Sequence, residues 1–168
     1  MRQYSLLAFF NILTYILSAG SFEGLPGLVF SFVLVSVMWT LSIFDICIYQ
    51  IPDACIIAGL FSRILFGALY EDVSALAVSL ENAALVAIGL LVLDVLMSGM
   101  LGRQAMGYGD IKLFFMLGNC FSLYDDLLAV FLSSLLGIIA MIFTDIKNDE
   151  LPFGPFICLA YLLIMIIK

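Results

Sequence analysis

Asn82–Leu101 reads NAALVAIGLLVLDVLMSGML, twenty residues in which Asp94 is the single ionisable side chain. A bilayer's hydrocarbon core takes about 20 predominantly apolar residues as one helix. A run this long and this uniform argues for a transmembrane helix rather than an amphipathic surface one. Similar blocks lie on both sides of it, near Ser5–Ala19, Leu28–Phe44, Ala54–Tyr70, Ile111–Phe121, Leu127–Thr144 and Phe156–Ile167. The pattern predicts an all-α, polytopic membrane helix bundle of about six to seven transmembrane helices, with the fifth and seventh blocks short. Connections of a few residues leave no space for a soluble domain, so residues 1–168 are expected to form a single membrane-embedded domain. Composition agrees: 65% of the residues are hydrophobic and 11% charged, against roughly 45–50% and about 25% in soluble domains.

Lysine and arginine concentrate in cytoplasmic loops. An N-terminus inside puts Arg2, Arg103, Lys112 and Lys147 on the cytoplasmic side and Lys168 alone outside. The opposite loops then carry Glu23, Glu71, Asp72, Glu81, Asp125 and Asp126 with no base. The first block has no small-residue cleavage pattern, so it is expected to be a retained helix and not a signal peptide. A net charge of −7 excludes a phosphate-neutralising surface and with it nucleic-acid binding. The chain has no histidine, and Cys47, Cys55, Cys120 and Cys158 form no Cys-x-x-Cys pair. No metal site and no cofactor are therefore expected, and the cysteines, each in apolar sequence, read as free buried thiols.

Ionisable residues at or inside a bilayer are costly and therefore informative. Three polar clusters interrupt the apolar blocks. The first is Asp45-Ile-Cys-Ile-Tyr-Gln-Ile-Pro-Asp53, where Pro52 biases Ile51 away from helix and should stop the second span. The second is Met106-Gly107-Tyr108-Gly109-Asp110-Ile111-Lys112, whose two glycines allow unusual backbone and close approach of another segment. The third is Leu151-Pro152-Phe153-Gly154-Pro155-Phe156, where continuous helix is disfavoured. Two complete spans separate Asp45 from Asp110, and two more separate Asp110 from the Pro-Phe-Gly-Pro turn. Parity thus brings all three clusters to one face, the cytoplasmic one in this orientation.

Two carboxylates at a membrane boundary, without histidine or metal ligands, suit aspartic protease chemistry. One must be ionised to take a proton from water, and the other protonated to polarise the scissile carbonyl. Like charges about 3 Å apart cannot both ionise, so the pair shares a proton and titrates as a unit. Taken singly, each element also has an ordinary structural role: Asp45 as a helix exit, Asp110 as an N-cap, the glycine and proline motifs as turns. Their co-occurrence on one face, in this order, favours the catalytic reading.

These motifs resemble those of the type IV prepilin peptidase family, whose membrane core is shared by the archaeal preflagellin peptidases. The family pattern has an Asp separated by five residues from Ile/Leu-Pro-Asp/Asn, then Gly-x-Gly-Asp, a hydrophobic residue and Lys. Here these are Asp45, Ile51-Pro52-Asp53 and Gly107-Tyr108-Gly109-Asp110-Ile111-Lys112. The stretch MGYGDIKLFFMLG at Met106–Gly118 is similar to bacterial members, which also carry Pro-Phe-Gly-Pro before the final helix, and Tyr4-Ser5-Leu6-Leu7 resembles the opening of their first span after the soluble loop. The resemblance implies a membrane aspartic endopeptidase with Asp45 and Asp110 as catalytic dyad. Asp53, Gly107, Gly109, Lys112, Pro152, Phe153, Gly154 and Pro155 would support the site. It implies a multi-pass protein of the bacterial cytoplasmic membrane. The substrate would be a prepilin or pseudopilin, cleaved on the cytoplasmic side between a short basic leader and a hydrophobic helix. Larger bacterial members begin with a further span and a cytoplasmic domain and also methylate the new N-terminus. No counterpart of that region precedes Tyr4 here, so methyl transfer is not expected.

Alternative readings are a preflagellin-type or other Gly-x-Gly-Asp intramembrane protease, or a small transporter or assembly scaffold using Asp45, Asp94 and Asp110 as a proton path. Internal repeats that would favour a transporter are lacking. Lys112 reads first as an orientation signal, and second as a cation beside Asp110. Asp145, Asp149 and Glu150 around Lys147 read as solvated charges. Finally, Arg63 and Asp94 lie at similar depth in consecutive antiparallel spans, which predicts a structural ion pair between them.

Overall fold

The computed structural model describes residues 14–16, 24–143 and 151–167. Six helices have described bounds: α1 Gly24–Ile48, α2 Asp53–Tyr70, α3 Val73–Leu101, α4 Tyr108–Gly118, α5 Leu123–Phe143 and α6 Gly154–Ile167. Residues 14–16 are also helical and lie along α1, where the Trp39 indole N–H donates to Thr14 Oγ1 at 3.0 Å. There are no strands among the described residues, as an all-α bundle requires. The rest of the first expected span lies outside the described residues, as do Arg2, Glu23, Asp145, Lys147, Asp149, Glu150 and Lys168.

Helices α1, α2, α3 and α5 are long and apolar enough to cross a membrane. Their outward faces carry Phe61, Leu85, Val95, Phe131 and Ile138, all exposed, the surface a bilayer covers and water does not. Helix α4 differs. It has only 11 residues and packs against α2, α3, α5 and α6, burying Ile111, Leu113, Phe114, Met116 and Leu117. A helix surrounded on all sides is apolar all round, which is why α4 reads as a short span while forming the bundle's centre. Gly59 of α2 supplies the notch for its Met116: a Cβ there would collide with the sulfur.

Three expectations need correction. The helix holding the opening stretch begins at Val73, not Asn82, and runs 29 residues. At 1.5 Å per residue it is about 43 Å long and outreaches a hydrocarbon core of about 30 Å. Glu81 is therefore helical, and Glu71 and Asp72 alone make the corner after α2. Second, Asp125 and Asp126 are not solvated loop charges, being 3% and 0% exposed. Asp125 completes a capping box at the start of α5, accepting from the Ser122 N–H at 3.1 Å and Oγ at 2.6 Å. Asp126 accepts from the Tyr161 hydroxyl at 3.1 Å. Third, of the four free cysteines only Cys158 is fully buried and Cys47 is exposed, because it sits on the outer side of the α1 terminus.

The expected Arg63–Asp94 pair does not form. Arg63 Nη2 instead meets Glu71 Oε2 at 2.8 Å, and its Nε donates to the Asn119 carbonyl at 2.7 Å. The guanidinium lies over Gly67, where a Cβ would come within 2.8 Å of Nη1. Arg63 is engaged near the Glu71 end of α2, while Asp94 is engaged by Ser98 and the loop after α3, so the two side chains serve opposite ends of the bundle.

Candidate active site

Helix α1 ends where Tyr49 takes a left-handed conformation, φ 56°, with its N–H bonded to the Asp45 carbonyl at 2.9 Å. Such a conformation is uncommon for a non-glycine residue. The chain then runs extended through Ile51-Pro52 into α2, whose first residue is Asp53. Asp45 thus lies in the last turn of α1, 6% exposed.

The Pro-Phe-Gly-Pro turn reaches Asp45 from 109 residues away. Gly154 opens α6, and its backbone N–H donates to Asp45 Oδ2 at 2.8 Å. A helix N-terminus offers unpaired N–H groups to an anion, and Pro155, next in the first turn, has no N–H to leave unsatisfied. Glycine lets the two approach this closely: a Cβ on residue 154 would lie 2.8 Å from Asp45 Oδ2 and 3.3 Å from its Cβ, so the carboxylate would have to shift.

Asp110 is the third residue of α4, with Gly107 as N-cap. The ordinary N-cap role considered for Asp110 is therefore filled by Gly107. From this third position the carboxylate folds back against Gly107. Both glycines of the motif sit in tight places rather than in unusual torsions. A Cβ on Gly107 would lie 2.9 Å from Asp110 Oδ2, and one on Gly109 would lie 3.2 Å from Ile51 Cβ. The second contact seats the α4 terminus on the Ile51-Pro52 corner and brings Asp110 beside Asp45.

The Asp45 and Asp110 carboxylates come to the same place at one end of the bundle. They line a cavity of about 620 Å³ together with Tyr49, Asp94, Met106, Gly107, Pro152 and Phe153. Its inner walls are Leu90, Leu93, Phe114 and Val130. A second, polar pocket of about 320 Å³ opens on the other side of the same pair, between Gln50, Asp53, Gly109 and Lys112. Asp45 and Asp110 therefore stand between an apolar cleft and a polar opening. Lys112 does not pair with Asp110: its ammonium binds Asp53 Oδ1 at 2.7 Å, with both side chains more than half exposed.

Of the ten residues singled out from the sequence, Asp45, Asp110, Asp53, Gly107, Gly109, Lys112, Pro152 and Phe153 line these two pockets. Gly154 joins them through its hydrogen bond, and Pro155 serves the start of α6. Sequence reasoning gave Tyr49 no role and gave Asp94 the wrong partner. Tyr49 was hidden because its backbone conformation leaves no trace in residue type. A lone acid inside an apolar span was the available signal for Asp94. No cluster of metal-ligating side chains occurs among the described residues.

Bundle and cavity define a multi-pass membrane protein whose chemistry-bearing carboxylates converge at one end of the helices. The chain belongs to the type IV leader peptidase family, whose family model matches residues 32–142. That places it among membrane-embedded peptidases that act on protein substrates. The matched region holds both Asp45 and Asp110 and ends before the Pro-Phe-Gly-Pro turn. No curated protein and no solved structure matches the chain.

Proposed function

We propose that the protein is an aspartic endopeptidase that removes the short leader from a prepilin or pseudopilin, with Asp45 and Asp110 as its catalytic dyad. The observation that carries this reading is the shared cavity. Two carboxylates from helices far apart in sequence meet between an apolar cleft and a polar opening. In the reaction, the ionised member of the pair takes a proton from a water molecule as that water attacks the scissile carbonyl. The protonated member donates a hydrogen bond to the carbonyl oxygen and then the proton. The Gly154 N–H holds one Asp45 oxygen and so fixes the carboxylate in the wall of the cleft. The apolar walls at Leu90, Leu93, Phe114 and Val130 suit the hydrophobic segment that follows the cleavage point, and the carboxylate-rich opening suits a basic leader. The positive residues Arg103, in the α3–α4 loop, and Lys112, in the first turns of α4, favour the cytoplasmic side for this end of the bundle, in a bacterial inner membrane.

The test is cleavage of a purified prepilin by the purified protein in detergent or liposomes. Asp45→Asn and Asp110→Asn each abolish cleavage while the protein still inserts and unfolds at its usual temperature. Asp53→Asn keeps at least part of the activity. Normal-rate cleavage by Asp45→Asn would overturn the assignment.

A further inference from the structure

We propose that Asp94 is a positioning residue for Asp110, acting as the latch that holds the α3–α4 loop in its working place. The inference rests on the dyad reading above and adds to it a residue outside the three motifs. Asp94 is 4% exposed, and three donors converge on its Oδ1. The Met106 N–H binds it at 2.8 Å, the Ala105 N–H at 3.1 Å and the Ser98 hydroxyl at 3.1 Å. Ser98 Oγ also accepts from the Ala105 N–H at 3.0 Å, so the same loop amide is gripped from both sides. Successive backbone N–H groups aimed at one carboxylate oxygen form a small anion-binding concavity, and hydrogen bonds to an ionised group are the stronger kind.

The latch is needed because α3 cannot run straight into α4. Gly102 ends α3 in the left-handed region at φ 67°, its N–H on the Ser98 carbonyl. Between it and the α4 N-cap at Gly107, the backbone hydrogen bonds of regular structure are missing. Met106 is the residue before that N-cap, and Asp110 is the third residue after it. A shift of residues 105–106 is therefore handed on to the Asp110 carboxylate through one helical turn. Asp94 also lines the cavity that Asp45 and Asp110 line, so the latch closes the cleft's wall at the point where the loop enters it.

Asp94→Ala, Asp94→Asn and Ser98→Ala are compared with wild type and with Asp110→Asn in the prepilin assay. Asp94→Ala lowers kcat at least about tenfold with KM within about twofold, since a misplaced group costs rate rather than binding. Asp94→Asn, which keeps the accepting oxygen, recovers kcat to within about threefold of wild type. Ser98→Ala falls between them and serves if Asp94→Ala does not insert. Amide exchange at Ala105 and Met106 speeds up by about tenfold or more in Asp94→Ala while the amides of α4 and α6 stay protected. A wild-type kcat in Asp94→Ala overturns the proposal. So does a raised KM at unchanged kcat, or an exchange increase spread through the whole bundle. Activity surviving in Asp110→Asn instead overturns the dyad reading itself.

Discussion

Replacing Gly154 with alanine separates catalysis from folding. The added methyl would stand 2.8 Å from Asp45 Oδ2 and 3.2 Å from its Cγ. Ordinary contact begins at 3.4 Å, so the carboxylate must withdraw by roughly 0.6 Å or rotate away. Either movement stretches or breaks the 2.8 Å bond from the Gly154 N–H, a charge-assisted bond of about 1.5–3 kcal/mol. The fold loses little, because the same substitution gives the first turn of α6 a better helix former by up to about 1 kcal/mol. The proposed catalytic pair, however, is displaced by a good part of the 1 Å that can cost about 100-fold in rate. Cleavage by Gly154→Ala should therefore fall about 10- to 100-fold, while its thermal unfolding midpoint in detergent stays near that of wild type. Gly89→Ala and Gly99→Ala in α3 are the controls, since a Cβ at either meets nothing within 4 Å. Wild-type cleavage by Gly154→Ala would refute the claim that this backbone group positions Asp45.

Arg63→Leu should destabilise the protein by about 1.5–3 kcal/mol, because it removes charged hydrogen bonds to the partly exposed Glu71 and to the Asn119 carbonyl. Adding Glu71→Leu should recover part of that loss, whereas adding Asp94→Leu should give losses that simply add in denaturant or thermal unfolding. Asp53→Ala or Lys112→Ala should each cost no more than about 1 kcal/mol, decreasing with salt, since the pair between them is exposed; a larger loss that salt leaves unchanged would contradict a surface role. Gly59→Ala should cost about 1–3 kcal/mol by driving a methyl into Met116 at the centre of the bundle, and the same change should cost less in a Met116→Ala background, where the clash is gone.

Much of this architecture was legible from local chemistry. Long apolar blocks, proline at 52, 152 and 155, and glycine at 107 and 109 act on their own segment of chain, so residue type alone announces a membrane bundle and its interruptions. Parity is equally robust: two spans between Asp45 and Asp110 return the chain to the same end whatever the errors in span length. Those local facts brought the three motifs to one face. Other features needed the folded chain. Val73–Glu81 continues α3 because the single charge at Glu81, beside mostly apolar residues, does not stop a helix, although a search for uncharged blocks ends there. Glycine's role at 107, 109 and 154 is a matter of which atoms stand opposite it, Asp110, Ile51 and Asp45. Arg63 and Asp94 make the same point most sharply. Sequence position along a helix sets the depth of a side chain, and equal depth suggested a pair. The rotation of each helix about its axis and the direction of each side chain are set by packing against neighbours. That packing turned Arg63 towards Glu71 and Asp94 towards the loop that leads into α4 and Asp110.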